Sequence, residues 1–178
     1  MIDFPLPVLG FAAFSGTGKT TLLSKLLPLL NAQGLRVGVV KHTHHKFDID
    51  HPHKDSYILR KAGATQIAIA SRKRTAIIIE HQDQRKEPSL SEALQSLEAD
   101  KLDMVLVEGF KQEAFDKIEL HREALERPYL YPDDVMIIAL ASDSNIPNTN
   151  ALTLLDINNP EQIAAFIVKW FAACKTGV

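Results

Sequence analysis

The chain has 178 residues, 46% of them hydrophobic and 24% charged, enough for one domain whose core needs neither disulfides nor metals. Its net charge of -2 supplies no global basic field to draw it onto nucleic acid or anionic lipid, and Cys174, the sole cysteine, excludes an internal disulfide or a multi-cysteine metal site. No apolar run reaches the roughly 20 residues of a membrane span, and Met1-Ile2-Asp3-Phe4-Pro5 lacks the basic segment of a cleaved signal, so a cytoplasmic address is expected.

In chain order, Val8–Phe14 is an apolar run that reads as a buried strand entering a glycine-rich turn. Leu22, Leu23, Leu26, Leu27 and Leu30 then form a stripe of helical period closed by Gly34, with a kink or an early end expected at Pro28. Val37–Lys41 is a second strand, opening into a polar loop from His42 to Lys54. A short helix near Asp55–Lys61 ends at Gly63. Gln66–Ser71 and Thr75–Glu80 form a hairpin about the basic turn Arg72-Lys73-Arg74.

Ser89-Leu90-Ser91-Glu92 fits a capping box and opens a helix expected to reach about Ala99. Leu102–Val107 has the continuous apolar character of a central parallel strand, and Lys117–His121 and Val135–Ala141 add two more. The last helix starts at Asn159-Pro160 and presents Ile163, Phe166, Ile167, Trp170 and Phe171 on one face. Alternating strands and helices, without repeats or linkers, predict a single α/β domain over residues 1–178. Its sheet is mainly parallel and flanked by helices, with an antiparallel hairpin element.

Chemistry enters at Ala13-Phe14-Ser15-Gly16-Thr17-Gly18-Lys19-Thr20, a relaxed Walker A pattern with Ala13 at the first glycine position. Small residues let consecutive N–H groups curl around a phosphate at a helix N-terminus. Lys19 is placed to reach the β- and γ-phosphates, the Thr20 hydroxyl to ligate magnesium, and Thr21 to approach the α-phosphate. Ser15, Gly16, Thr17, Gly18, Lys19, Thr20 and Thr21 are therefore candidate contacts to a nucleoside triphosphate with Mg2+.

Asp103-Met104-Val105-Leu106-Val107-Glu108-Gly109 delivers a carboxylate at a strand end, as a Walker B strand does, with glutamate in place of aspartate. Asp48 and Asp50, in the loop after the second strand, are further candidates to hold metal-bound water. Glu80 reads as structural. Five of seven histidines, His42, His44, His45, His51 and His53, lie in that same loop. Imidazole suits nickel or zinc, but a polar loop contacting phosphate or a partner explains the cluster as well.

Together these residues resemble the molybdopterin-guanine dinucleotide biosynthesis adapter (MobB) family. The likeness rests on Ala12–Leu22, Val40-Lys41-His42-Thr43-His44-His45, Asp48-Ile49-Asp50, Lys54–Tyr57, Leu59–Ala64, Leu106–Lys111 and Leu154–Asn158, in order along nearly the whole chain. His53 departs from it, standing where the family loop usually has glycine before Lys54.

The resemblance implies a P-loop NTPase-like fold and a homodimer that binds GTP and hydrolyses it weakly. It also implies an adapter role beside the guanylyltransferase that attaches GMP to molybdopterin, with the molybdenum cofactor and molybdoenzymes as further partners. Carried over, the nucleotide site is Gly16–Thr21, with Lys41 and Lys54 as added phosphate contacts. Asp48, Asp50 and Glu108 stand near the magnesium and γ-phosphate, and Lys19, Asp48 and Glu108 are the groups for hydrolysis. Two alternatives stay open: a small-molecule kinase, for which Arg36, Arg60, Arg72, Arg74, Arg85, Arg122 and Arg127 form no lid cluster, and a nickel-insertion GTPase. The guanine signature Asn-Lys-x-Asp is absent; Ala141-Ser142-Asp143 follows a late strand, a place for a base-reading aspartate, although any loop could contain such a run.

Overall fold

Two compact units with different packing problems make up the computed structural model, which describes residues 2–43, 47–81, 87–144 and 152–176. By contact, Met1–His42 with Ser89–Val178 forms one compact unit and Thr43–Pro88 the other.

The larger unit is built on a six-stranded sheet. Its strands are β1 (Val8–Ala12), β2 (Val37–Lys41), β5 (Met104–Glu108), β6 (Lys117–His121), β7 (Ile137–Ser142) and β8 (Thr153–Asp156). They lie in the order β2-β5-β1-β6-β7-β8, every pairing parallel. β5 is buried at every position because both faces of the sheet are covered. Its side chains alternate between them. Met104 and Leu106 join the core under α1 (Lys19–Ala32) and α4 (Pro160–Thr176), while Val105 and Val107 pack with Leu90 and Leu94 of α3 (Leu90–Gln95). No helix of the described residues is long and apolar enough to cross a membrane.

Helix α1 does not end at Pro28 but runs through it to Ala32. Pro28 is exposed, so the Ser24 carbonyl that loses its N–H partner faces water, while Leu22, Leu23, Leu26 and Leu30 stay buried on the opposite side. Helix α3 stops at Gln95, short of the expected Ala99. The capping box at Ser89 and Glu92 forms as expected, but the Ser96 hydroxyl bonds back to the Glu92 carbonyl and Leu97 N–H to Leu94, tightening the last turn. At the start of α4 the Asn159 side chain accepts from Gln162 N–H at 2.9 Å. Strand β8 is an addition that periodicity did not single out.

In the smaller unit, α2 (Asp55–Lys61) precedes an antiparallel hairpin of β3 (Gln66–Ala70) and β4 (Thr75–Ile79), in register Ile67 opposite Ile78. Ser71 closes the turn, bonding Arg74 through both backbone and hydroxyl. Arg60 gathers three carboxylates: Asp50 at 2.6 Å, Asp48 at 2.8 Å and Glu80 at 3.3 Å.

Candidate functional site

Strand β1 is central, and the chain leaves its carboxyl end through Ala13–Gly18 straight into α1. Gly16 and Gly18 take φ of +85° and +97°, and a Cβ on either would meet no protein atom. Conformation, not crowding, therefore demands glycine at both. The Thr17 hydroxyl donates to the Phe14 carbonyl at 2.9 Å and braces the loop from inside. No side chain caps α1, so its first N–H groups stay available to an anion. This is a cradle whose chemistry fits phosphate.

Lys19 supplies its positive charge. The ammonium donates to the Ala13 and Phe14 carbonyls at 3.1 Å each, lying across the loop it belongs to. Burial lowers its pKa; Glu108 opposes that shift, and Lys111 and Lys41 add to it. An anion seated beside it would reverse the balance. Ser15 and Thr21 are exposed at the rim of the loop and the first turn of the helix.

Glu108 ends β5, the strand next to β1, and its carboxylate meets the Thr20 hydroxyl at 3.0 Å through each oxygen. Lys41, at the end of neighbouring β2, donates to Thr20 Oγ1 at 3.0 Å and pairs with Glu108 Oε1 at 3.2 Å. Parallel register produces this meeting, because Lys41 lies opposite Glu108 and Phe11 opposite Glu108 on the other side. A hydroxyl and a carboxylate are the hard oxygen donors magnesium takes when phosphate oxygens and water complete its shell. The residues present fit that ion. Among the described residues no group of three or more His, Cys, Asp or Glu could hold a metal by itself.

Gly109 makes the arrangement possible. It has φ +102°, and an added Cβ would stand 2.6 Å from the Cβ of His42. His42 in turn donates its N–H to the Glu108 carbonyl at 2.8 Å and stacks its ring on Phe110. The loop after Gly109 is held by Lys117, a fully buried ammonium bonded to the Lys111 and Glu113 carbonyls and to Asp134 at 2.8 Å.

Asp48, Asp50 and Lys54 belong to the smaller unit. Both aspartates are engaged by Arg60, whose hydrogen bond lowers the Asp50 pKa. Lys54 stands at the N-cap of α2, its N–H on the His51 carbonyl. His53 has φ +74°, the left-handed conformation a glycine at that position adopts freely. His44 and His45 lie outside the described residues.

Sequence reasoning missed the other side of the phosphate loop. There a cleft of about 360 Å3 is lined by Gly16, Gly18, Thr21, Arg122 and Asn158, among others. Arg122, one residue past β6, donates to the Thr17 carbonyl at 3.2 Å, to Asp143 at 3.1 Å and to the Asn158 amide oxygen at 3.1 and 3.2 Å. Asp143 thus faces Arg122 and the Glu123 N–H, the latter being the first cause of its lowered pKa. Two sequence signals pointed here: the run Leu154–Asn158, noted for its family likeness, and Asp143, noted as a place for a base-reading aspartate.

Comparisons with known proteins identify the family and the fold. The family model described as "Molybdopterin guanine dinucleotide synthesis protein B" matches residues 8–143. A molybdopterin-guanine dinucleotide biosynthesis adapter protein of Escherichia coli (strain K12) is 50% identical over 166 residues, covering 93% of both chains. One from Haemophilus influenzae is 44% identical, covering 93% of this chain and 89% of the relative. The crystal structure of Bacillus subtilis MobB superposes with TM-score 0.71 at 22% identity, over 92% of this chain and 97% of that one, a likeness of fold. With a nucleotide-binding P-loop on a parallel sheet and a family match across most of its length, the chain belongs to the molybdopterin guanine dinucleotide synthesis protein B family.

Proposed function

We propose that this protein is a GTP-binding adapter in molybdopterin guanine dinucleotide biosynthesis, working beside the guanylyltransferase and hydrolysing GTP slowly at most. The observation that carries the reading is the meeting of Thr20 with Glu108 beside the phosphate cradle, in a chain half identical to a named adapter.

In this reading the N–H groups of Gly16–Thr21 hold the phosphates and Lys19 exchanges its two carbonyl contacts for phosphate oxygens. Thr20 and Glu108 would hold magnesium, which when bound neutralises charge on the phosphates. Lys41, already in contact with both, adds a third neutralising group. A carboxylate committed to Thr20 and Lys41 is poorly placed to activate water, which accords with slow hydrolysis. Asp48 and Asp50 join the site as holders of metal-bound water only by releasing Arg60, and Lys54 is an added phosphate contact.

A cytoplasmic homodimer completes the proposal. The support for the dimer is the smaller unit, which exposes Ile58 and Leu59 of α2 and Ile69, Ile77 and Ile79 of the hairpin.

Titration of the purified protein with GTP, ATP and GDP, with and without magnesium, tests the reading. GTP should bind more tightly with magnesium, and Lys19→Ala should abolish binding with an unchanged circular dichroism spectrum. Retained affinity in folded Lys19→Ala refutes the site. Added guanylyltransferase should form a complex and alter the hydrolysis rate.

A further inference from the structure

The metal side and the nucleoside side of a phosphate loop are separated here by the sheet order. Glu108 and Lys41 end β5 and β2 on one flank of β1, whereas β6, β7 and β8 lie on the other. The cleft on that second flank opens beside Gly16, Gly18 and Thr21, within reach of anything attached to phosphates in the loop. It is bordered by Arg122 after β6 and Asn158 after β8.

The orientation of Asn158 is fixed by chemistry. A guanidinium has donors only, so the amide atom receiving two Arg122 N–H groups at 3.1 and 3.2 Å is the oxygen. Turning the amide over would set its NH2 against those donors. Arg122 is held in place, because the Thr17 carbonyl of the phosphate loop and Asp143 after β7 take two more of its five N–H groups. The Asn158 NH2 is therefore turned away from Arg122, and no other described residue receives it in a hydrogen bond. It stands at the cleft as an unspent donor.

We propose that Asn158 determines base specificity, donating to the C6 oxygen of a 6-oxopurine seated in this cleft, with Arg122 as its positioning residue. The inference rests on the nucleotide-binding reading above and deepens it. Guanine carries an acceptor at C6 and adenine an amino donor. Adenine would place donor against donor and leave both unpaired, a stronger basis for rejection than a missing contact. Selection of guanine then needs no Asn-Lys-x-Asp segment. Asp143, at the strand end where the sequence leaves room for a base-reading aspartate, serves instead to hold Arg122.

The test is calorimetric titration with GTP, ITP, ATP and inorganic tripolyphosphate, with magnesium, on the wild type, Asn158→Asp and Asn158→Ala. Wild type should bind ITP within a few-fold of GTP, since both carry the C6 oxygen, and ATP at least about tenfold more weakly. Asn158→Asp, which replaces the donor with an acceptor, should lower the GTP/ATP affinity ratio at least about tenfold. Asn158→Ala should lower it by a similar factor without favouring ATP. Tripolyphosphate affinity should be unchanged in both. An unaltered ratio, or equal losses for GTP, ATP and tripolyphosphate, would overturn the role of Asn158 while leaving the phosphate site standing. A wild type that binds none of the four ligands overturns the nucleotide reading and this inference with it.

Discussion

Replacing Gly109 with alanine is the sharpest probe of how the strand end that carries Glu108 is built. Two costs add. The backbone at φ +102° is one that an L-residue rarely adopts, worth about 1–3 kcal/mol. The new Cβ also stands 2.6 Å from the Cβ of His42, an atom fixed directly to backbone and unable to swing aside. His42 is tied to the same strand end by its N–H on the Glu108 carbonyl at 2.8 Å, so relief of the clash requires parting β2 from β5 where Lys41 meets Glu108. The expected loss is about 2–4 kcal/mol, equivalent to about 5–15 °C in melting temperature for a chain of this size. Urea unfolding of wild type, Gly109→Ala, His42→Gly and the double variant forms a cycle that separates the two costs. The double variant should recover the steric part and retain the backbone part. Magnesium-dependent nucleotide affinity should fall in Gly109→Ala, because the Glu108 carboxylate moves with its backbone. A loss below about 0.5 kcal/mol, or no recovery in the double variant, refutes the reasoning.

Lys117→Met should cost about 3–5 kcal/mol in denaturant unfolding, since it strands the Asp134 carboxylate and the Lys111 and Glu113 carbonyls around a buried site. A loss under about 1 kcal/mol would mean that those partners find water instead. Arg36 donates to Asp103 from its side chain and its backbone, lowering that carboxyl from 3.8 to about 2. Between those values the unfolded chain binds more protons than the folded one, so this contribution is present above about pH 4 and lost as pH falls through about 2. Asp103→Asn should flatten acid unfolding in that window, and an unchanged profile counts against the pairing. His53→Gly should stabilise the protein by up to about 1 kcal/mol, the relief of a left-handed residue less the greater freedom of glycine in the unfolded chain. A fall in melting temperature would show that the imidazole makes a needed contact.

The sequence by itself determined the phosphate cradle, because the requirement there is local. Gly16 and Gly18 must turn left-handed, Lys19 must follow, and a buried strand and a leucine-striped helix must flank them, all within one continuous stretch. It also determined the hairpin, the capping box at Ser89 and the parallel strand ending at Glu108, each set by short-range pattern. The close of α1 at Gly34 was legible, but the early end expected at Pro28 as one of two outcomes did not occur because that face of the helix is exposed, and β8 was missed because four residues carry little periodic signal.

Only the tertiary structure decided which distant groups meet. Parallel register between β2, β5 and β1 brings Lys41 and Glu108 to Thr20, residues separated by up to 88 positions. The order β6-β7-β8 places Arg122, Asp143 and Asn158 around one cleft, although nothing in their local sequence relates them. Asp48 and Asp50, equally acidic in sequence, prove to be gathered by Arg60. The physical reason is the same in each case. A backbone conformation is encoded by neighbours along the chain, whereas the partner of a charge or an amide is chosen by which strand ends the sheet sets side by side.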